Sequence, residues 1–308
     1  MKPRFESTGI LGLGRPSLPG RHGLLVLAAA VLVAAHSLWT WLAHGIAIQP
    51  DFDYYTQGGL GLFPSPIGRA LGSLGPHWFA SMSIVASGVC VYAVARRAER
   101  PTLAAWLFAV SPATLQQLSY AGIDPIGFAL LLLAFAGIRP MSMAVLAAMT
   151  HLTLIPFALL QFARSGTRAR WAGIGAVVAI AALGFLFTPY RGIVESNVGS
   201  TMLAAFVVGL AVGVLVSLPA LLVVRPSRLW LLAVVIGATE CALVLHVQPR
   251  YLLPAAALAA IGPVRPAVAR FAERVWRLGK LRVDARLALP LRGIERVSGK
   301  LRPARERA

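Results

Sequence analysis

The sequence predicts an all-α fold: a polytopic membrane helix bundle of roughly eight spans with a re-entrant helix pair among them. Two observations carry that reading. Hydrophobic residues make up 57% of the 308-residue chain and charged residues only 13%, with a mean hydropathy of +0.73. These apolar residues come in long blocks rather than amphipathic stripes, and arginines punctuate the gaps between blocks. The formal net charge of +18 is therefore not a nucleic-acid signal, because the basic residues sit at the two ends and in short loops. They read as topology determinants and as contacts for anionic membrane lipids. Cys90 and Cys241 both fall inside apolar runs, which suggests neither a disulfide framework nor a metal cluster. Arg far outnumbers Lys and Ala is frequent, a composition that suits a bacterial plasma-membrane protein with a GC-rich genome.

Residues 1–22 form a basic leader with Lys2, Arg4, Arg15 and Arg21, expected on the cytoplasmic side. A transmembrane domain over 23–264 follows. Its first span is Leu24–Ala43, and its external loop 46–77 carries an amphipathic stretch. Trp78–Ala95 returns to the cluster Arg96, Arg97, Glu99 and Arg100, and Thr102–Leu118 goes out again. A short external turn through Tyr120 and Asp124 leads into Ile126–Ile138, which is short for a span. Arg139 and the group Arg164, Arg168 and Arg170 both favour the cytoplasm, so Met141–Ala163 is expected to be a hairpin. Its bend falls near Thr150-His151, with a second break at Pro156. Spans follow at Trp171–Phe187, Met202–Val224, Leu229–Val247 and Leu252–Val264. The last two are joined by the external turn Gln248-Pro249-Arg250-Tyr251. The tail 265–308 is basic, with amphipathic character over Val268–Leu278, and is expected on an anionic leaflet inside the cell.

With that topology the outer face collects Asp51, Asp53, Tyr54, Tyr55, Tyr120, Asp124, Tyr190, Arg191, Glu195, Gln248, Arg250 and Tyr251, with His246 just below. Insertion physics explains the inner arginines, whereas acids, tyrosines and single arginines gathered outside call for a reaction centre. Each member also has a plainer reading. Asp51 and Asp53 read as catalytic carboxylates or as helix N-caps. Asp124 before Pro125 reads as an N-cap or a functional acid. Arg250 and Tyr251 read as a phosphate site or an interfacial anchor. Glu240 lies deep in a span, where it serves chemistry or, protonated, a hydrogen bond to a neighbouring helix. His246 donates to a phosphate or closes the bundle, His151 reads as structural, and the tyrosines are interface aromatics before they are substrate contacts.

Three stretches resemble the GT-C superfold of membrane glycosyltransferases, and in particular the actinobacterial polyprenyl-phosphate-mannose-dependent mannosyltransferases. They are Asp51-Phe52-Asp53-Tyr54-Tyr55, the run from Ser111-Pro112 through Tyr120 to Asp124, and Arg250-Tyr251-Leu252-Leu253-Pro254. The resemblance implies transfer of a sugar, mannose first, from a polyprenyl-phosphate donor to a hydroxyl of a glycolipid, glycan or protein acceptor outside the cytoplasm. Asp51 would be the general base of an inverting displacement and Asp53 or Asp124 would position the sugar or acceptor. Arg250, with His246 or Arg191, would hold the donor phosphate. Tyr54, Tyr55, Tyr120, Glu195, Gln248 and Tyr251 would line the sugar site. No cofactor is expected, since a monophosphate donor demands no metal, although Asp51 and Asp53 together are where a divalent ion would sit. A transporter or flippase, recognised by broken helices and polar groups at the bilayer midplane, is the alternative from another class, and a non-catalytic membrane subunit is the third.

Overall fold

The computed structural model describes residues 20–44, 66–118, 122–163, 170–176, 178–179, 200–244, 249–275 and 277. They form two compact units, Met1–Pro263 and Val264–Ala308. In the first unit the described residues are all-helical. Its helices are α1 (Gly20–His44), α2 (Pro66–Gly72), α3 (Pro76–Arg97), α4 (Pro101–Ala109), α5 (Pro112–Gln117), α6 (Ile123–Phe135) and α7 (Pro140–Thr150). A single 3-10 turn, Leu152–Leu154, then leads to α8 (Ile155–Ala163), α9 (Ser200–Val223), α10 (Arg228–Val244) and α11 (Pro249–Ala260). In the second unit residues 266–275 are helical, and Arg277 pairs with Glu273 one turn before it.

Proline sets many of the starts. α2, α3, α4, α5, α7 and α11 all begin on one, where a missing N–H costs nothing because the first turn has no intrahelical acceptor. The same residue breaks what reads as one span over Thr102–Leu118. Pro112 cannot continue α4, so the chain turns at Val110 and Ser111 and restarts as α5. Between α6 and α7 the turn uses left-handed backbone at Gly137 (φ 81°) and at Arg139 (φ 41°).

Among the described residues three helices are long and apolar enough to cross a membrane: His22–Ala43 within α1, Pro76–Arg97, and Thr201–Val223 within α9. Shorter apolar segments accompany them, and most of the expected span Trp171–Phe187 lies outside the described residues. α6 has 13 residues and α11 has 12, roughly 20 Å and 18 Å at 1.5 Å per residue, well short of a hydrocarbon core. α7 and α8 fold back on each other, since a Cβ on Gly173 would run into both Met141 at the start of α7 and Phe162 at the end of α8. The break falls at His151, which is extended (φ −153°, ψ 136°), as the sequence suggested. Pro156 makes no second break, because it lies in the first turn of α8, where proline is tolerated.

α11 occupies the centre. Every residue from Tyr251 to Ala260 is buried, and the helix packs on α4, α5, α9 and α10. Its alanines let neighbours come close, and glycines complete the fit. Gly209 and Gly213 on α9 lie against Ala238 and Val234 of α10, and Gly237 lies directly under the Tyr251 carbonyl.

Candidate functional site

Polar side chains are rare inside this bundle, and several of them meet where helices begin or end. Asp124 is buried in the first turn of α6. Its N-cap reading is overturned: the cap position is Gly122, and no side chain caps the helix. The carboxylate instead accepts a hydrogen bond from Gln117 Nε2 at the end of α5 (2.8 Å, to Oδ2), and the same oxygen faces Arg250 Nη1 at 3.6 Å. Arg250 lies in the first turn of α11. Its Nη2 donates to the Tyr251 hydroxyl at 3.3 Å, and the guanidinium carbon sits 5.2 Å from the Tyr251 ring centre. Tyr251 is buried and so is no interfacial anchor.

The hairpin tip supplies the next member. A Cβ on Gly127 would collide with Thr150 Oγ1, so the absence of one brings the end of α7 against the first turns of α6. The chain then turns at His151, which is buried; its Nδ1 accepts the Thr153 backbone N–H at 3.2 Å and lies 2.8 Å from the Thr153 hydroxyl. That acceptor role leaves the ring proton on Nε2. Asp124 and Arg250 both act on this imidazole electrostatically. Glu240 completes the group from α10. It is 7% exposed and within the electrostatic reach of Arg250, yet neither carboxyl oxygen has a hydrogen-bond partner. The hydrogen bond to a neighbouring helix expected of a protonated Glu240 is therefore not made.

The depth of this cluster corrects the sequence reading. Ile123–Pro125 and Pro249–Tyr251 are not turns between helices: they are the first turns of α6 and α11. Ser87 and Cys90, at the middle of α3, donate to the carbonyls of Leu118 (3.0 Å) and Pro125 (3.8 Å). Gly213, at the middle of α9, lies against Leu252, and Gly237, at the middle of α10, lies against Tyr251. The first turns of α6 and α11 thus stand level with the middle of the long helices. Other arginines stand at helix ends: Arg96, Arg97 and Arg100 between α3 and α4, Arg139 before α7, and Arg225 and Arg228 between α9 and α10.

Of the residues singled out from the sequence, Asp124, Arg250 and Tyr251 come together, and Glu240 and His151 join them. Asp51, Asp53, Tyr54, Tyr55, Tyr120, Arg191, Glu195, His246 and Gln248 lie outside the described residues. Gln117 was missed: it is uncharged, and its only sequence signal is a polar pair, Gln116-Gln117, in an apolar run. Among the described residues no group of three or more His, Cys, Asp or Glu is arranged to hold a metal ion. An apolar groove of about 550 Å³ runs between α2, α3, α6 and α7, lined by residues such as Ile67, Met82, Val89, Ile126, Leu130 and Leu146. No protein-family model, curated protein or solved structure matches the chain.

Proposed function

We propose that the chain is a multi-pass bacterial plasma-membrane glycosyltransferase. It moves a sugar, with mannose the first candidate, from a polyprenyl-phosphate donor to a hydroxyl of a glycolipid, glycan or protein acceptor. The observation that carries this reading is the position of Arg250: a half-buried guanidinium in the first turn of α11, facing the first turn of α6 across Asp124. One guanidinium in the first turn of a helix, where the helix dipole is positive, favours an anionic group such as a phosphate monoester. The groove between the short helices is apolar enough for a polyprenyl chain.

In this reading Asp51 takes the proton of the acceptor hydroxyl as its oxygen attacks the anomeric carbon from the face opposite the phosphate. The C–O bond to the phosphate breaks, the configuration inverts, and Arg250 stabilises the departing phosphate. Asp53, Asp124 and the tyrosines position sugar and acceptor. Both termini lie in the cytoplasm, roughly eight segments span or enter the membrane, and the reaction opens to the outer side.

The test is transfer of labelled sugar from a polyprenyl-phosphate donor by membranes containing the protein. Asp51→Asn at equal expression is expected to lower the rate by about 10²- to 10⁴-fold; transfer at the original rate rejects Asp51 as the base. One observation favours a second reading as a transporter or flippase: helices that stop and start level with the middle of the spans, carrying paired polar groups there. Movement of labelled lipid-phosphate sugar across vesicles without any transfer would favour it.

A further inference from the structure

A carboxyl buried in a membrane helix with nothing to accept or donate a hydrogen bond requires an explanation, because desolvating an unpaired carboxylate costs far more than a helix gains from packing. Glu240 is such a group, with both oxygens unpartnered and the residue more than nine-tenths buried. Its surroundings narrow what can occupy it. α8 and α9, which pack against α10, carry no titratable side chain. α11 packs on α10 and lays Tyr251 against Gly237, three residues before Glu240, and its Arg250 acts on Glu240 electrostatically; the same Arg250 pairs with Asp124 of α6 and acts on His151 of the hairpin tip. Cys241, beside Glu240 on its own helix, is buried and forms no disulfide. A metal cation would need several oxygen ligands and would be repelled by Arg250. A proton needs only the carboxyl.

We propose that Glu240 is a proton-binding site in the membrane core, and that its proton decides which carboxyl holds Arg250. With the proton on Glu240 the guanidinium belongs to Asp124 and Tyr251, the arrangement seen here. When the proton leaves, two buried carboxylates compete for one cation, Arg250 is drawn toward Glu240, and the pair with Asp124 loosens. Since Arg250 starts α11 and Asp124 starts α6, proton exchange at Glu240 alters the contact between those two helix ends. This inference stands on the placement of Glu240 and is independent of sugar transfer.

Dicyclohexylcarbodiimide tests it directly. This apolar reagent enters membranes and modifies carboxylic acids: the acid O–H adds across one C=N bond to give an O-acylisourea, which rearranges to a stable N-acylurea. The full-length protein in lipid vesicles, treated across a pH series and mapped by mass spectrometry, is expected to carry the adduct on Glu240. Its rate should fall about tenfold for each pH unit once the proton has left. Arg250→Gln removes the charge that favours the carboxylate and should extend labelling of Glu240 upward by about one to three pH units. Asp124→Asn frees Arg250 for Glu240 and should move the profile the other way. E240Q should abolish the adduct at that site. An unmodified Glu240 in the folded protein, a labelling rate that ignores pH, or profiles unmoved in both the Arg250 and the Asp124 variant would overturn the proposal. Variants that do not run as monodisperse species on gel filtration are set aside, and the wild-type profile then decides.

Discussion

Asp124 and Arg250 come from distant parts of the chain and meet as a pair, the acid buried and the guanidinium half-buried, whose geometry is neither short nor bidentate. The pair is held by its neighbours: Gln117 donates to the carboxylate, and Tyr251 accepts from the guanidinium and stacks beneath it. A buried ion pair contributes little net stability over an apolar substitute, but removing one partner strands the other. Asp124→Ala and Arg250→Ala are therefore each expected to destabilise the protein by about 3 kcal/mol. Combining Asp124→Asn with Arg250→Gln should cost less than the sum of the separate changes, as read from thermal unfolding in detergent in a double-mutant cycle. Additive losses would show that the two residues do not act as a pair. Arg250 was legible in the sequence as a residue out of keeping with its surroundings, since a lone arginine at the start of an apolar block stands out. Its partner was not, because hydrogen-bonded proximity between Asp124, Gln117 and Arg250 is set by how three separate helices pack.

At the scale of elements, the bundle depends on helices that approach closely at small residues and stop at prolines. Gly209 and Gly213 are four apart on α9, a spacing that puts both on one face, and α10 answers with Ala238 and Val234. Gly237→Ala would place a methyl against the Tyr251 carbonyl and within 2.9 Å of Leu252 Cδ2, so α11 must shift. A loss of about 1–3 kcal/mol is expected. Gly175→Ala is the matched control, since it lies in helical residues with nothing within 4 Å of the new methyl; it should be neutral or stabilise by up to about 1 kcal/mol. Equal thermal melting of the two variants would show that the α10–α11 contact is not close. Helix existence was readable from apolar blocks, and the bend at His151 from its polarity within such a block. The break at Ser111-Pro112 shows the limit of that approach. A proline after an apolar run also fits a bent span, and the chain's decision to restart as α5 is consolidated by Ser111 Oγ donating to the Val216 carbonyl on another helix (2.9 Å).

For the whole molecule, the arginines that cluster at helix ends, Arg96 to Arg100, Arg139, and Arg225 with Arg228, give a topology that labelling can examine. Cys90 and Cys241 are buried in the bundle and should contribute no background to a membrane-impermeant thiol reagent. Single cysteines placed at Arg100, Arg139 and Ser227 are expected to label only from the cytoplasmic side, and one near Asp51 only from the other. Labelling of any of the first three from outside would invert the proposed orientation. The sequence by itself determined that this is an all-helical protein with helices fit to cross a membrane, because hydrophobic block length and charge placement are properties of the chain alone. It also singled out Asp124, Arg250 and Tyr251 as residues out of keeping with their surroundings. Only the tertiary structure decided how deep they lie. Depth depends on which helices pack side by side and at what level, and here α6 and α11 begin beside the middle of α3, α9 and α10. That placement turned residues read as an external turn into a buried cluster and left Glu240 unpartnered beside it.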